Sequence, residues 1–395
     1  MDVKDTIAGT VTGAREQLTD LSHRLHTHPE VAWAEERAAA WVGTELADAG
    51  FDVETHACGL PTAFIARTGT GPLHVGICAE YDALPALGHA CGHNIIAAVA
   101  VGAGLALAAT ADDLGLTVTV FGTPAEEGGG GKVYMLERGA FDGVHAAMMV
   151  HPGPVDVAEA RPFAVSHMLV RYRGQATHAA AYPEHGINAA DAFTIAQVAV
   201  GLLRQQLPAS TRVHGIVTHG GDAPNAIPDR TEGRWYVRAE NMEELAYLEP
   251  RVRRCFEAGA LATGCELEVE AEAPPYAEFR NDPDLLSLYQ ANAERLGRQF
   301  TPAAPDGVND GAGSAGRMNR ASTDMGNVSL VVPAIHPYIG IGSLPAVNHQ
   351  KEFAAHCVTP AADQALIDGA IGLAWTAADA ARDEAIRGRL LAGGR

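Results

Sequence analysis

The chain has 395 residues, too many for one small core and enough for about two domains. Apolar residues make up 47% and charged residues 19%, a composition that excludes a disordered chain. The formal net charge of -20, with no run of Lys or Arg, argues against nucleic acid and an anionic membrane surface as partners.

In chain order, Asp5–Thr27 and Glu35–Ala49 read as helices, with apolar positions three and four apart. Short apolar runs at Thr62–Arg67, Leu73–Cys78, Leu116–Gly122 and Ala146–Val150 are bounded by Gly, Pro or Asp, as buried strands are. Ile95–Ala109 between them reads as a helix and is shorter than a bilayer span. Alternating helices and strands imply an α/β layer with a largely parallel sheet. From about Phe163 the order becomes strand 164–173, helix Ile187–Leu207, strands Arg212–Thr218 and Gly233–Ala239, helix Met242–Thr263 and strand Glu266–Glu272. This β-α-β-β-α-β order fits a compact ferredoxin-like α+β domain. Pro274, Pro275 and Tyr276 mark its end, and helix-strand alternation resumes from about Asp282. The simplest organisation is one α/β domain, 1–162 and 276–395, interrupted by an inserted domain, 163–275. A linear array of three domains is the alternative.

The six cysteines, Cys58, Cys78, Cys91, Cys255, Cys265 and Cys357, form no Cys-x-x-Cys pair, so neither a disulfide framework nor a zinc knuckle is indicated. The opening Met-Asp-Val-Lys-Asp has no apolar signal core. Both features lead us to expect a cytoplasmic protein.

The strongest local signal is Gly88-His-Ala-Cys-Gly-His-Asn94. Here Cys91 and His93 stand two apart in a Gly-containing turn before a helix. Thiolate and imidazole both suit borderline-soft divalent ions. On its own the segment fits a core histidine and a small buried cysteine equally well. Thr123-Pro-Ala-Glu-Glu-Gly128 puts adjacent carboxylates at a strand end, where one could bind metal while the other activates water. A solvated acidic loop is the alternative. Val150-His151-Pro152, Glu80-Tyr-Asp-Ala-Leu-Pro85 and Asn348-His-Gln-Lys-Glu-Phe353 are weak alone. Together, several segments, most of them at strand ends, each offer a Cys, His, Asp or Glu, the way a metal site assembles on one sheet edge.

On these segments the chain resembles the co-catalytic metallopeptidase family of aminoacylases and carboxypeptidase G. It is most similar to the branch of aminobenzoyl-glutamate hydrolases, hippurate hydrolases and auxin-conjugate amidohydrolases. The matching runs are Ala79-Glu-Tyr-Asp-Ala-Leu-Pro85, His89-Ala-Cys-Gly-His93, Gly122-Thr-Pro-Ala-Glu-Glu-Gly128, Gly174-Gln-Ala-Thr-His-Ala-Ala180, Ala223-Pro-Asn-Ala-Ile-Pro228, Ser322-Thr-Asp-Met-Gly-Asn-Val328 and His349-Gln-Lys-Glu-Phe353. They run in family order across nearly the whole chain. This chain departs in having Glu80-Tyr81-Asp82 where relatives often have an acidic-Met-Asp run, and Asn94 where many have Asp.

The resemblance implies a dinuclear-metal catalytic α/β domain interrupted by a ferredoxin-like lid and dimerisation domain. It implies two divalent ions per chain, zinc or manganese with cobalt or nickel as further options, held by Cys91, His93, Glu127, His151 and His349. Glu126 is then the general base and acid, and Asp82 the carboxylate that orients a metal-binding group. His178 polarises the scissile carbonyl, while Asn225 and Arg238 hold the substrate carboxylate. The expected activity is hydrolysis of the amide bond in a small N-acyl amino acid or aminobenzoyl-glutamate-like conjugate by a homodimer or higher homo-oligomer. Two other readings stay open: a dipeptidase for small, basic or β-amino dipeptides, and a metal-poor protein that binds an acyl amino acid without cutting it. His336 rivals His349. His23, His26 and His28 suit a helix end, His145, His167, His185, His214 and His219 read as structural or surface groups, and His89 as at most a neighbour of the ligands.

Overall fold

The computed structural model describes residues 2–300 and 321–394. Whatever part of the expected C-terminal alternation falls on 301–320 lies outside the described residues. The chain divides into two compact units: Phe163–Glu278, and the described residues of Met1–Pro162 with Phe279–Arg395.

The discontinuous unit is a mixed α/β layer. Its strands are β1 (Asp52–Thr55), β2 (Phe64–Thr68), β3 (Leu73–Ala79), β4 (Leu116–Gly122), β5 (Ala146–Met148) and β6 (His151–Gly153). In the other unit come β7 (Ala164–Arg173), β8 (Arg212–His219), β9 (Arg230–Ala239) and β10 (Glu266–Tyr276). The first unit then resumes with β11 (Ala334–Ile335) and β12 (Tyr338–Gly340).

Six strands form one sheet in the order β1-β2-β4-β3-β5-β11. The β4/β3, β3/β5 and β5/β11 pairs are parallel, while β1/β2 and β2/β4 are antiparallel. The sheet is therefore mixed, parallel only from its centre to the β11 edge. β6 and β12 form a separate parallel pair that aligns His151 with Tyr338. Strand β3 is buried at Leu73 and throughout Val75–Ala79, as expected of a strand covered on both faces.

The helix His93–Ala108 is apolar nearly all round and almost entirely buried. It packs against β3 on one side and the helix Pro360–Arg382 on another. Gly104 permits a close approach to β4 as well, since a Cβ there would meet Val120 Cγ2 at 2.9 Å. Because the helix begins at His93, its N-terminus sits in the Gly-containing turn that carries Cys91.

In Phe163–Glu278 the sheet order is β10-β7-β9-β8, antiparallel throughout. The helices Ala189–Leu203 and Met242–Thr263 pack together and against it. Along β9, alternate residues Thr231, Gly233, Trp235, Val237 and Ala239 are buried, the period of a half-buried strand. Trp235 packs edge-on to Phe256 in this core.

Three expectations need correction. Asp5–Thr27 is two helices, Val3–Gly13 and Arg15–Thr27, broken beside Gly13, whose residue type weakens a helix. The helix expected over Ile187–Leu207 begins later, capped by the Asn188 side chain, and its last turn tightens into Arg204–Gln206. The boundary expected at Pro274–Tyr276 falls inside β10, and the unit ends at Glu278. The prolines are tolerated because β10 lies at a sheet edge and its register shifts twice between Ala271 and Tyr276.

Candidate metal centre

Three strand ends, one turn and one loop converge in the discontinuous unit. β3 leads into Glu80 and Asp82, the following turn brings Cys91 and His93, β4 leads into Glu126 and Glu127, and β6 begins at His151. His349 arrives on a loop, its backbone N–H donating to Ala90 O at 2.8 Å. Gly92, at φ 82°, makes the turn between Cys91 and His93, and a Cβ there would lie 2.4 Å from Pro152 Cγ.

The donors fall into trios whose ligand atoms lie within 4.8 Å of one another: Cys91, His93 and His151; Cys91, Glu127 and His349; and Glu80, His93 and Glu126. Cys91 belongs to two of them. Its Sγ is 3.5 Å from His151 Nε2. His151 Nδ1 is engaged with Pro152 O at 2.8 Å, which turns the Nε2 lone pair to the cysteine. His93 Nδ1 lies 2.9 Å from Asp82 Oδ1, and Asp82 Oδ2 accepts the Glu127 N–H at 2.9 Å. A carboxylate only accepts, so His93 presents Nε2 to the cluster. That nitrogen is 3.8 Å from Glu126 Oε2 and 3.9 Å from Glu127 Oε1. Glu127 Oε2 lies 3.7 Å from His349 Nε2.

Burial disfavours the charged form of His93, yet Asp82 and Glu80 outweigh it and hold the ring well above the usual histidine range. Burial, then Glu80 and Glu127, push Glu126 well above the usual carboxylate range. His93 Nε2 and Glu127 Oε1 are buried and have no hydrogen-bond partner among the described residues. Unpartnered buried N and O atoms beside a cysteine sulfur, spaced as ligands are, fit divalent metal ions.

The Glu126–Glu127 turn is held from behind. Ala125, at φ 57°, donates its N–H to Glu35 Oε1 at 2.8 Å, and Thr62 donates to Glu35 Oε2 at 2.8 Å. Burial, then Asp82, raise the Glu35 carboxyl to about 7. Alongside, Lys132 Nζ sits between Glu80 Oε1 at 2.6 Å and Asp324 Oδ1 at 2.5 Å, all three side chains fully buried. Residue-level reading missed Glu35, Lys132 and Asp324, and met Glu80 only as part of the Glu80–Pro85 run. Glu80 and Asp324 stood in runs that carried the resemblance, and Lys132 directly follows four glycines, but no spacing rule singles them out.

Three of the discounted histidines have hydrogen-bond partners that account for them. His23 Nε2 is 2.8 Å from Asp363 Oδ1, His26 Nε2 2.8 Å from Ala354 O, and His28 Nδ1 3.0 Å from Arg24 O. His89 is buried and pushed down to about 3 by that burial, then by His93. His336 belongs to none of the donor trios; it stacks on His151 at 5.5 Å between ring centroids.

His178, Asn225 and Arg238 lie in the Phe163–Glu278 unit. His178 bridges to Ala226 and the Asn225 carbonyl accepts the Ala179 N–H at 2.9 Å, so these two segments meet. The His178 and Asn225 side chains are exposed. Arg238 stands on β9, its Nε 3.2 Å from His214 Nε2 and its guanidinium 5.9 Å from the Tyr236 ring centre.

A sequence model of peptidase family M20/M25/M40 matches residues 77–346. The chain is 41% identical over 392 residues to an Xaa-Arg dipeptidase of Mus musculus, covering 95% of this chain and 88% of that one. It is 31% identical over 306 residues to one of the subunits of p-aminobenzoyl-glutamate hydrolase from Escherichia coli strain K12, covering 72% and 64%. Its fold resembles that of a dinuclear metal binding peptidase of the M20 family from Bacillus subtilis, with a TM-score of 0.67, 22% identity and coverage of 94% and 99%.

Proposed function

This chain belongs to peptidase family M20/M25/M40 and is a metal-dependent hydrolase of amide bonds, and from that premise we propose that it is a dipeptidase for small dipeptides with a basic C-terminal residue. The observation that carries this reading is the 41% identity to an Xaa-Arg dipeptidase along 95% of the chain. The net charge of -20 agrees with it, because an acidic protein draws in cationic substrates.

We read Cys91, His93 and His151 as holding one divalent ion, and Cys91, Glu127 and His349 as holding a second, with Cys91 common to both. Bound ions of this kind supply charge stabilisation and lower the pKa of a bound water towards ~7. Glu126 is the proton carrier: it takes the proton of the attacking water and delivers it to the leaving nitrogen. Its raised proton affinity suits that exchange, and a positioned acid-base group contributes ~10²–10⁴-fold. Asp82 fixes the His93 ring and the Glu127 backbone together. His178 stabilises the developing oxyanion, and Asn225 and Arg238 bind the substrate carboxylate.

We read Phe163–Glu278 as a ferredoxin-like lid that also makes a homodimer. Strand β8 is a sheet edge carrying the exposed apolar residues Ile216 and Val217, a surface suited to pairing with a second copy. We also place the protein in the cytoplasm, where its six unpaired cysteines would stay reduced. No helix among the described residues is long and apolar enough to cross a membrane.

The second reading, an N-acyl amino acid or aminobenzoyl-glutamate hydrolase, is favoured by the match to the Escherichia coli protein. A substrate panel separates the two. Turnover of Xaa-Arg and Xaa-Lys dipeptides well above that of N-acetyl amino acids and aminobenzoyl-glutamate is expected; the reverse order replaces the first reading with the second.

A further inference from the structure

His93 faces two sets of donors: Cys91 and His151 on one hand, Glu80 and Glu126 on the other. Asp82 occupies its Nδ1, so only Nε2 can serve either set. One imidazole nitrogen has one lone pair, and both sets come within 4.8 Å of the His93 ligand atom, so a single ion bound there would have both for neighbours. Glu80 Oε2 lies 3.5 Å from His93 Nε2, while Glu126 Oε2 lies 3.8 Å away. Nitrogen and oxygen donors bound to one ion at ~2.0–2.2 Å stand about 3–3.5 Å apart. Glu80 meets that spacing more closely than Glu126 does.

The rest of the Glu80 environment makes sense as a clamp. Its Oε1 is held 2.6 Å from Lys132 Nζ, which also holds Asp324 Oδ1 at 2.5 Å. Asp324 Oδ2 in turn accepts the Lys132 backbone N–H at 2.9 Å. The other Glu80 oxygen, Oε2, is buried with no hydrogen-bond partner among the described residues, as is His93 Nε2. Leaving a buried charged oxygen unpartnered is costly, and coordinating a metal is one of the ways proteins satisfy it. One ammonium between two carboxylates leaves a net negative charge on this side of the site, the sign that attracts a cation.

We propose that Glu80 Oε2 is an additional ligand of the ion held by Cys91, His93 and His151, with Lys132 and Asp324 as its positioning residues. The inference rests on the metal-centre reading above. It turns a nitrogen-sulfur donor set into one with a hard oxygen, which widens the site to ions such as Mn²⁺. It also leaves Glu126 free of the ion for proton transfer.

The test is a crystal structure of the wild-type protein soaked in Mn²⁺, with the ions located by anomalous scattering. The expected result is an ion between Cys91, His93 and His151 with Glu80 Oε2 at about 2.0–2.3 Å. An ion there with Glu80 beyond ~3 Å overturns the inference and leaves the metal centre standing. Soaked crystals with no ion at either position overturn the metal centre itself. Calorimetric Mn²⁺ titration of Glu80→Gln adds a solution measure. One of two sites should weaken at least ~10-fold, with the other unchanged and the metal-free variant folded by circular dichroism. Wild-type affinity at both sites contradicts the proposal.

Discussion

Asp82 joins two parts of the site at once: one oxygen lies 2.9 Å from His93 Nδ1 and the other accepts the Glu127 backbone N–H at 2.9 Å. His93 comes from the turn after β3 and Glu127 from the turn after β4, so a single buried carboxylate sets the distance between neighbouring strand ends. Asp82→Ala should leave His93 free to rotate and lower metal affinity by ~10–100-fold, the usual cost of losing a group that orients a ligand. Competition with a calibrated chelator measures this, and an unchanged affinity would remove Asp82 from the site.

Glu126→Gln should separate binding from chemistry. Glu126 Oε2 stands farther from His93 Nε2 than Glu80 Oε2 does, and Glu126 is read as the proton carrier. The amide should keep the metals yet reduce kcat by ~10²–10⁴-fold with little change in KM. Steady-state kinetics beside elemental analysis reads both quantities, and near-wild-type turnover would move the base elsewhere.

Gly92 is the most sensitive backbone position. Its φ of 82° and the 2.4 Å from a built Cβ to Pro152 Cγ leave no room for a side chain. Gly92→Ala should cost about 2–4 kcal/mol through left-handed strain and overpacking. It should also weaken metal binding, because Cys91 and His93 flank it. Chemical denaturation of the metal-free protein tests the first effect, and wild-type stability would contradict the geometry.

Glu35 gives the metal-free protein a pH signature. Its folded carboxyl is raised from 4.5 to about 7, so between those values the folded state holds a proton that the unfolded chain has released. Its contribution to stability is therefore full below about pH 4.5 and is lost as pH rises through about 7, by about 3 kcal/mol at most. Glu35→Gln should flatten the decline of stability with pH in that window relative to wild type. Parallel curves for the two proteins would show that Glu35 titrates normally.

The strands of the six-stranded sheet that carry donors were legible because they are short apolar runs ending in Gly, Pro or acidic residues: Leu116–Gly122 is observed with the bounds read from the sequence. The short strands β1, β11 and β12 were not, since two to four residues make no periodic signal. Pro274 and Pro275 read as a stop, yet an edge strand needs few of its own N–H groups and continues through them. At the site, the structure brings Cys91, His93, Glu127, His151 and His349 together, residues that the local runs and the resemblance had singled out. The Lys132, Glu80 and Asp324 cluster escaped because its members are distant in sequence. A buried Lys is unreadable until the fold shows its partners.

Two overlapping donor trios that share Cys91 make up the candidate metal centre on which the proposed hydrolysis depends. Its most direct test is elemental analysis of protein purified without chelator, wild type beside the Cys91→Ala, His93→Ala double variant. About two divalent ions per chain in the wild type, lost in the folded variant, is the result the shared trios predict. Well under one ion per chain in the wild type after gentle purification would contradict it, and would point to a protein that binds a small acyl amino acid or dipeptide without cleaving it.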